Sequence, residues 1–346
     1  MRAHFNSDNY APVLPEVMAA LAAVNEGHAP AYGGDAVTAR AHAALRAEFG
    51  EHAHPFLVLT GTGANVVSLR AMLKPWQGVV CADSAHLNVD EGGAPEALAG
   101  IKLLAVATPD GKLTPELVDT RLVRLGDEHA VQPGVVSVTQ STELGTVYTP
   151  DELEALADHA HARGLLLHVD GARLANAAAA LGVSLRTITT DAGADVASFG
   201  GTKAGLMMGE AIVVLRDELA PALPYLRKQS MQLGSKMRYL GAQFEALLAQ
   251  QRWRPAAEHA NAMADRLAAG VREAPGVRLT QAVQANVVFA ILPSGVAERL
   301  QREWGFYTWD ERTGEVRWMC SHDTRAEDVD AFAAAVTAAV GETRSA

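Results

Sequence analysis

The chain contains His168-Val169-Asp170-Gly171-Ala172-Arg173 and, further on, Ser198-Phe199-Gly200-Gly201-Thr202-Lys203. The apolar run over residues 164–169 predicts a buried parallel strand, which delivers Asp170 to a cleft at its carboxyl end. The run over 195–199 predicts the next strand, and a glycine-rich turn leads from it to Lys203. A lysine amine can form a Schiff base while a carboxylate holds a protonated ring nitrogen. This pair of residues therefore suits pyridoxal phosphate (PLP).

Apolar and amphipathic segments alternate around this stretch. Strands are predicted at 56–60, 79–82, 101–106, 134–139, 165–169, 195–199 and 211–215, and helices near 64–74, 114–125, 150–163 and 172–181. This alternation indicates an α/β fold, with a mainly parallel seven-stranded sheet and helices on both of its faces.

The pattern changes after about residue 216. Long helices are predicted near 217–226, 231–250 and 255–273, strands around 286–292 and 316–320, and a last helix near 325–340. We therefore expect an N-terminal segment (1–15), a large domain (16–246) and a smaller α+β C-terminal domain (247–346).

Composition narrows the classes of function. The net charge of −11 and the lack of a basic stripe argue against nucleic-acid binding. No uninterrupted apolar stretch of about 18 residues occurs, and the N-terminal residues 1–8 lack the apolar core of a signal peptide, so we expect a cytoplasmic protein without membrane contact. Cys81 and Cys320 lie in strand-like runs and are expected to be buried thiols. No metal site is expected.

Two further motifs indicate a function only when they are considered together with Asp170 and Lys203. Gly61-Thr62-Gly63 follows a predicted strand and starts a helix, where backbone N–H groups can hold a phosphate, although many folds use such a turn for backbone reasons. His86 follows the second predicted strand, where its ring could stack on a planar cofactor and transfer protons, or could simply lie in a loop.

Two arginines are candidates for binding a carboxylate. Arg173 lies three residues after Asp170 and could point into the same cleft, or could lie on a helix surface. Arg317, in the late predicted strand, could bind a carboxylate through two parallel hydrogen bonds, or could be a charge at a strand edge.

Together these residues resemble the fold-type-I PLP enzymes and, within them, the L-threonine aldolase family of the β-eliminating lyase group. The resemblance runs almost from end to end. It rests on Asn6-Ser7-Asp8-Asn9, Tyr32-Gly33-Gly34-Asp35, Gly61-Thr62-Gly63-Ala64-Asn65, His86 with Glu91-Gly92-Gly93, the stretch 168–173, Thr202-Lys203 and Val316-Arg317.

The resemblance implies a role for each matching residue. Lys203 corresponds to the Schiff-base lysine, Asp170 to the partner of the ring nitrogen, and His86 to the histidine that stacks on the ring; these three are the expected catalytic residues. The other implied cofactor contacts are Gly61, Thr62, Gly63, Arg173 and Arg238, and the implied substrate contacts are Ser7, Tyr32, Glu143, Arg173, Lys228 and Arg317.

The implied reaction is the retro-aldol cleavage of L-threonine, L-allo-threonine and other β-hydroxy-α-amino acids to glycine and an aldehyde. Lys228 and Arg238 match residues that enter a neighbouring subunit's site, which implies a homodimer or homotetramer with shared active sites. The alternatives are another fold-type-I PLP reaction (a phenylserine preference, β-elimination or transamination) and a catalytically silent binding protein.

The chain departs from the family pattern at two positions. Many members have Glu-Asn-Thr-His where this chain has Gln140-Ser141-Thr142-Glu143, so Glu143 replaces a histidine associated with the substrate's β-hydroxyl. Either Glu143 is used differently, or His86 and water take over. Asp90 replaces an aromatic residue that often follows the stacking histidine.

Overall fold

The computed structural model describes residues 3–343. Residues 1–2 of the expected N-terminal segment and residues 344–346 of the expected C-terminal domain lie outside them. The larger sheet has seven strands: β1 (His54–Val58), β2 (Gln77–Ala82), β3 (Lys102–Val106), β4 (Gln132–Thr139), β5 (Leu166–Asp170), β6 (Val196–Gly200) and β7 (Glu210–Val214).

The strands of this sheet lie in the order β1-β7-β6-β5-β4-β2-β3. Strands β2 to β6 pair in parallel, whereas β7 is antiparallel to both β6 and β1. The mainly parallel seven-stranded sheet is therefore confirmed. Since β4, β5 and β6 are neighbours, the residues that follow them meet at one edge of the sheet.

Helices cover both faces of the sheet and continue into the C-terminal part. They are α1 (Pro15–Ala23), α2 (Ala36–Phe49), α3 (Gly61–Met72), α4 (His86–Val89), α5 (Ala94–Ala99), α6 (Pro115–Asp119), α7 (Pro150–His161), α8 (Leu174–Leu181), α9 (Leu223–Gln229), α10 (Met237–Leu248), α11 (Trp253–Val271), α12 (Val296–Leu300) and α13 (Ala326–Thr343). Short 3₁₀ helices span Asp8–Tyr10, Asp217–Ala222 and Ala249–Gln251.

The C-terminal part has its own antiparallel sheet, in the order β10-β11-β9-β8, formed by β8 (Arg278–Leu279), β9 (Val287–Ile291), β10 (Tyr307–Asp310) and β11 (Glu315–Met319). Its core also includes the N-terminal residue Phe5, which stacks on Phe332 with ring centroids 4.7 Å apart. The backbone N–H of Met319 donates to the carbonyl of Phe5. Phe5 is thereby fixed to the C-terminal unit.

Several predicted elements differ from the observed ones. The helix expected over 114–125 ends at Asp119, where the Thr120 hydroxyl donates to the Leu117 carbonyl. The helix expected from 231 begins only at Met237, because Met231 has a positive φ of 61°. The short strands β8 and β10 were not predicted.

Three further features of the described residues concern the thiols, membrane-spanning helices and metal ligands. Cys81 and Cys320 are buried free thiols, as predicted. Among residues 3–343, no helix is long and apolar enough to cross a membrane. The same residues contain no group of three or more His, Cys, Asp or Glu side chains that could hold a metal ion.

Candidate active site

A cavity of about 360 Å³ lies at the carboxyl ends of the parallel strands. It contains the catalytic residues expected from the sequence. Its lining consists of Asn9, Leu59, Thr60, Gly61, Thr62, His86, Asp170, Ala172, Ser198, Gly200, Thr202, Lys203, Met208 and Glu210.

Glycines bring the ends of β5 and β6 into close contact. A Cβ on Gly171 would collide with the carbonyl oxygen of Ser198, and a Cβ on Gly200 would collide with that of Ala172. The backbone N–H of Gly200 donates to the Gly171 carbonyl at 2.9 Å. This contact sets Asp170, at the end of β5, and Lys203, three residues after β6, on the wall of one cavity.

Asp170 is buried and held at both carboxylate oxygens. Oδ1 accepts the backbone N–H of Ala172 at 3.0 Å, and Oδ2 accepts Nδ2 of Asn65 at 2.8 Å. The same Nδ2 donates to Oε1 of Glu91 at 2.9 Å. Because both oxygens accept hydrogen bonds from fixed donors, the Asp170 carboxylate is oriented before any ligand arrives.

His86 forms another part of the cavity wall. Nδ1 of its ring lies 2.9 Å from Oε1 of Glu91, whose side chain is fully buried. The hydrogen bond to Glu91 raises the pKa of the imidazole, against the effect of partial burial. The residue also begins α4, where the N-cap residue Ala85 offers no capping side chain.

Glu143 supplies that cap from a distant loop. Its Oε1 accepts the backbone N–H of His86 and the Thr139 hydroxyl, both at 2.8 Å. Burial raises the pKa of this carboxyl. Glu143 is absent from the cavity lining, so its contact is with the backbone of His86 rather than with the space a substrate would fill.

Lys203 is the lysine of the cavity. Burial lowers the pKa of its ammonium group, and the positive charge of Arg173 lowers it further. A lowered pKa increases the fraction of neutral amine, which is the nucleophilic form.

The first turn of α3 faces the cavity at Gly61 and Thr62. The hydroxyl of Thr60 caps this helix by accepting the N–H of Gly63 at 3.1 Å. The N–H groups of Gly61 and Thr62 have no carbonyl partner within the helix and carry the positive end of its dipole. Gly63 itself packs against the side chain of Gln232, where a Cβ would collide.

The two candidate arginines have different surroundings. Arg173 donates to both oxygens of Asp8, from Nε at 2.7 Å and from Nη2 at 2.9 Å. Arg317 donates from Nη2 to the Asn6 carbonyl, while its buried Nε has no partner among residues 3–343. Burial first, and then the nearby Arg173, lowers the pKa of Arg317 to about 10. Among residues 3–343, no carboxylate is hydrogen-bonded to the guanidinium of Arg317.

The remaining predicted residues lie outside the cavity lining. Ser7 borders a neighbouring cavity that also contains Ser321 and Arg325. The ammonium of Lys228 lies 5.3 Å from the centre of the Tyr32 ring, which is itself 54% exposed. Nη1 of Arg238 donates to the carbonyls of Glu26 and Gly27, both at 3.1 Å.

Asn65, Glu91, Asp8 and Glu210 are polar residues at or near the site to which no role was assigned from the sequence. Asn65 and Glu91 connect Asp170 with His86, and Asp8 binds Arg173; all three stand inside motifs quoted above, which was the available signal. The fourth is Glu210, a buried residue of the cavity wall whose Oε2 accepts the N–H of Gly201 at 2.8 Å. The only feature of the sequence that could have indicated Glu210 is its position as an acidic residue directly before an apolar run.

The donor set fits PLP. Lys203 offers an amine to an aldehyde, Asp170 a buried carboxylate to a ring nitrogen, and α3 free N–H groups to a phosphate. The flat ring of His86 and the small side chain of Ala172 also line this cavity. The unpaired Nε of Arg317 fits a substrate carboxylate.

Comparison with known proteins decides the family. The β-eliminating lyase model matches residues 4–292. The chain belongs to the β-eliminating lyase family. A low-specificity L-threonine aldolase of Pseudomonas aeruginosa is 43% identical over 97% of this chain and 98% of its own. A second, from a Pseudomonas species, is 42% identical over 96% and 97% of the two chains.

Solved structures agree with this assignment. A Leishmania major threonine aldolase superposes with a TM-score of 0.93 and is 31% identical, over 98% of this chain and 99% of its own. An Oryza sativa protein, TDC, solved with PLP and tryptamine, shares only the fold, with a TM-score of 0.79 at 15% identity over 99% and 84% of the chains. The chain thus has the fold of the fold-type-I PLP enzymes, as expected, and is a lyase of the threonine aldolase group.

Proposed function

We propose that this protein is a PLP-dependent aldolase that cleaves L-threonine, L-allo-threonine and other β-hydroxy-α-amino acids to glycine and an aldehyde. The observation that carries the proposal is the joint placement of Lys203, Asp170 and His86 on one cavity wall. When bound, PLP supplies an aldehyde for Schiff-base formation and a ring that accepts the electrons of the broken Cα–Cβ bond.

Different residues of the chain would bind different parts of this cofactor. Lys203 provides the amine, which burial keeps partly neutral. Asp170 would stabilise the proton on the ring nitrogen, because both of its carboxylate oxygens are already fixed by hydrogen bonds. Gly61, Thr62 and Gly63 form the phosphate turn, in which Gly63 lets Gln232 pack against α3.

The arginines orient the amino acid. Arg317 has a desolvated guanidinium to which no carboxylate of residues 3–343 is hydrogen-bonded, and Arg173 is fixed nearby by Asp8. The guanidiniums of Arg173 and Arg317, together with the carboxylate of Asp8, have a net positive charge that attracts the substrate's carboxylate. Ser7 lies on the same N-terminal segment as Asp8. Holding this carboxylate selects the bond that is cleaved.

His86 removes the proton of the substrate's β-hydroxyl as the aldehyde leaves. The hydrogen bond to Glu91 raises the pKa of the imidazole, which makes it a stronger base for this transfer. Glu143 supports His86 through its backbone N–H rather than by approaching the substrate. This arrangement explains how the chain manages without the histidine found at that position in many relatives.

The proposal includes a homodimer or homotetramer in which Lys228 and Arg238 complete the site of a neighbouring subunit. Exposed apolar side chains near Lys228 support it: Tyr225 is 73% exposed and Met231 is 71% exposed. Such side chains mark a contact surface when they cluster. We also propose that the enzyme is cytoplasmic, since two unpaired thiols fit a reducing compartment.

The test is to load the purified protein with PLP, record its visible absorbance and add L-threonine. We expect acetaldehyde and glycine in equal amounts, without any need for a keto acid. Ammonia release without glycine would indicate β-elimination, and amino transfer to a keto acid would indicate transamination; either result, in place of aldehyde, contradicts the proposal. Phenylserine in a parallel assay measures the preference among β-hydroxy amino acids.

A further inference from the structure

The second oxygen of Glu91 and the amide oxygen of Asn65 are both buried without a hydrogen-bond partner in the described part of the chain. Burying polar groups in this way destabilises a fold. Neither side chain lines the cavity. A destabilising arrangement beside an active site points to a role in function.

The hydrogen-bond geometry shows what this arrangement holds in place. Nδ1 of His86 lies 2.9 Å from Oε1 of Glu91, and the same oxygen accepts Nδ2 of Asn65 at 2.9 Å. Nδ2 carries two protons, and the second is donated to Asp170 at 2.8 Å. One amide group thus fixes two buried carboxylates, one on each side of it.

We propose that Glu91 is the positioning residue of His86: it holds the proton on Nδ1 and leaves Nε2 as the nitrogen that receives the β-hydroxyl proton. The inference rests on the proposed function, since it assigns a partner to the base of that reaction. A carboxylate that accepts from one imidazole nitrogen fixes the ring's tautomer and orientation, and stabilises the imidazolium that forms when the other nitrogen takes a proton.

The charges around His86 favour the same role. Glu91 and Asp170 raise the pKa of the imidazole, whereas burial and Lys203 lower it. Glu143 contacts the backbone N–H of His86 and not its ring. Glu91 is the one of these groups that is hydrogen-bonded to the ring, and its side chain is fully buried, whereas that of His86 is 38% exposed.

The direct test is ¹⁵N NMR of the imidazole nitrogens in the PLP-loaded protein without any amino acid, with the His86 signals identified by their loss in His86→Asn. We expect the Nδ1–H tautomer in the neutral ring. In Glu91→Gln the amide oxygen still accepts from Nδ1 but the charge is gone, so the pKa of His86 should fall by about one unit. Glu96→Gln, an exposed residue on α5, is the matched control and should leave this pKa unchanged.

Turnover provides a second readout. The acidic limb of kcat/KM for threonine cleavage should move to lower pH in Glu91→Gln by the same amount as the NMR pKa, with the cofactor's absorbance retained. A wild-type Nε2–H tautomer, or an unchanged His86 pKa in Glu91→Gln, would overturn the inference. The wild-type tautomer decides the matter even if the variant does not fold. Because the NMR measurement needs no substrate, failure to cleave threonine would contradict the proposed function and leave this result standing.

Discussion

The carboxylate of Asp8 accepts two hydrogen bonds from the guanidinium of Arg173, and both side chains are largely withdrawn from water. Burial alone would raise the pKa of Asp8, but the charge of Arg173 and of Lys203, with the hydrogen bonds, brings it down to about 2. The N-terminal segment therefore fixes a residue of the turn between β5 and α8.

Asp8→Asn should leave Arg173 buried without its counter-charge. Breaking a buried pair in this way costs about 3–5 kcal/mol of unfolding free energy, and we expect the KM for threonine to rise at least about tenfold because Arg173 is no longer held in place. Asp330→Asn, which breaks the exposed pair with Arg266, is the control and should change stability and KM little. Denaturant unfolding and steady-state kinetics measure both effects.

Acid sensitivity follows from the same pair. The folded-state pKa of Asp8 is below its ordinary value of 3.8, so the stability it contributes is present above about pH 4 and is lost as the pH falls towards 2. Urea unfolding of the wild type and of Asp8→Asn at pH 5, 4 and 3 should show a gap that narrows towards low pH. A constant gap would mean that the pKa of Asp8 is the same in the folded and the unfolded protein.

Glu210 should have the opposite pH dependence. Burial raises the pKa of this carboxyl from 4.5 to about 7, so its contribution is most favourable below about pH 4.5 and declines as the pH rises through 7. In the cofactor-free protein, Glu210→Gln should be more stable than the wild type at pH 8, by an amount on the order of 3 kcal/mol, and similar to it at pH 4.5. Equal stability of both proteins at pH 8 would show that Glu210 is not destabilised by burial. Glu218→Gln, an exposed change, is the control.

Two variants of Glu143 distinguish a residue that supports the backbone of His86 from a residue that contacts the substrate. Glu143→Gln keeps an oxygen for the His86 N–H, so kcat should change by less than about threefold. Glu143→Ala removes this acceptor and should lower kcat about tenfold or more with little change in KM, since a lost hydrogen bond costs about 1–3 kcal/mol. A large rise in KM with kcat preserved would instead place Glu143 against the substrate.

Shared active sites predict complementation between two inactive variants. Lys203→Ala lacks the amine, and Arg238→Ala lacks the group proposed to reach a neighbour's site. Mixing them under conditions that exchange subunits should restore up to about a quarter of the wild-type activity, because some dimers then contain one complete site. No recovery despite proven exchange would mean that each site is complete within one chain. Light scattering on the wild type gives the number of subunits.

The sequence allowed the centre of the site to be predicted because its parts are local. Strand β5 is a mostly apolar, largely buried run that ends at Asp170, and β6 leads by a short turn to Lys203, so strand order alone brings these two residues together. The antiparallel direction of β7 was not predictable, since this strand is buried on both faces and shows the same apolar run as a parallel strand.

The contacts that support the site could not be predicted from the sequence, and the reason is physical. Asp8 and Arg173 are separated by 165 positions, and Asn65 and Asp170 by 105, so neither pair is detectable before the topology is known. The ends of the helices were difficult to predict for a similar reason. Met231 has a positive φ, so α10 begins later than predicted, and the spacing of apolar residues does not indicate this backbone conformation.

The central claim is that this cavity holds PLP through Lys203. The most direct measurement is to load the protein with PLP, reduce it with sodium borohydride, digest it and locate the modified lysine by mass spectrometry. We expect one phosphopyridoxyl group on Lys203, and none at this position in Lys203→Ala. Modification of another lysine such as Lys228 in the wild type, with Lys203 unmodified, would contradict it.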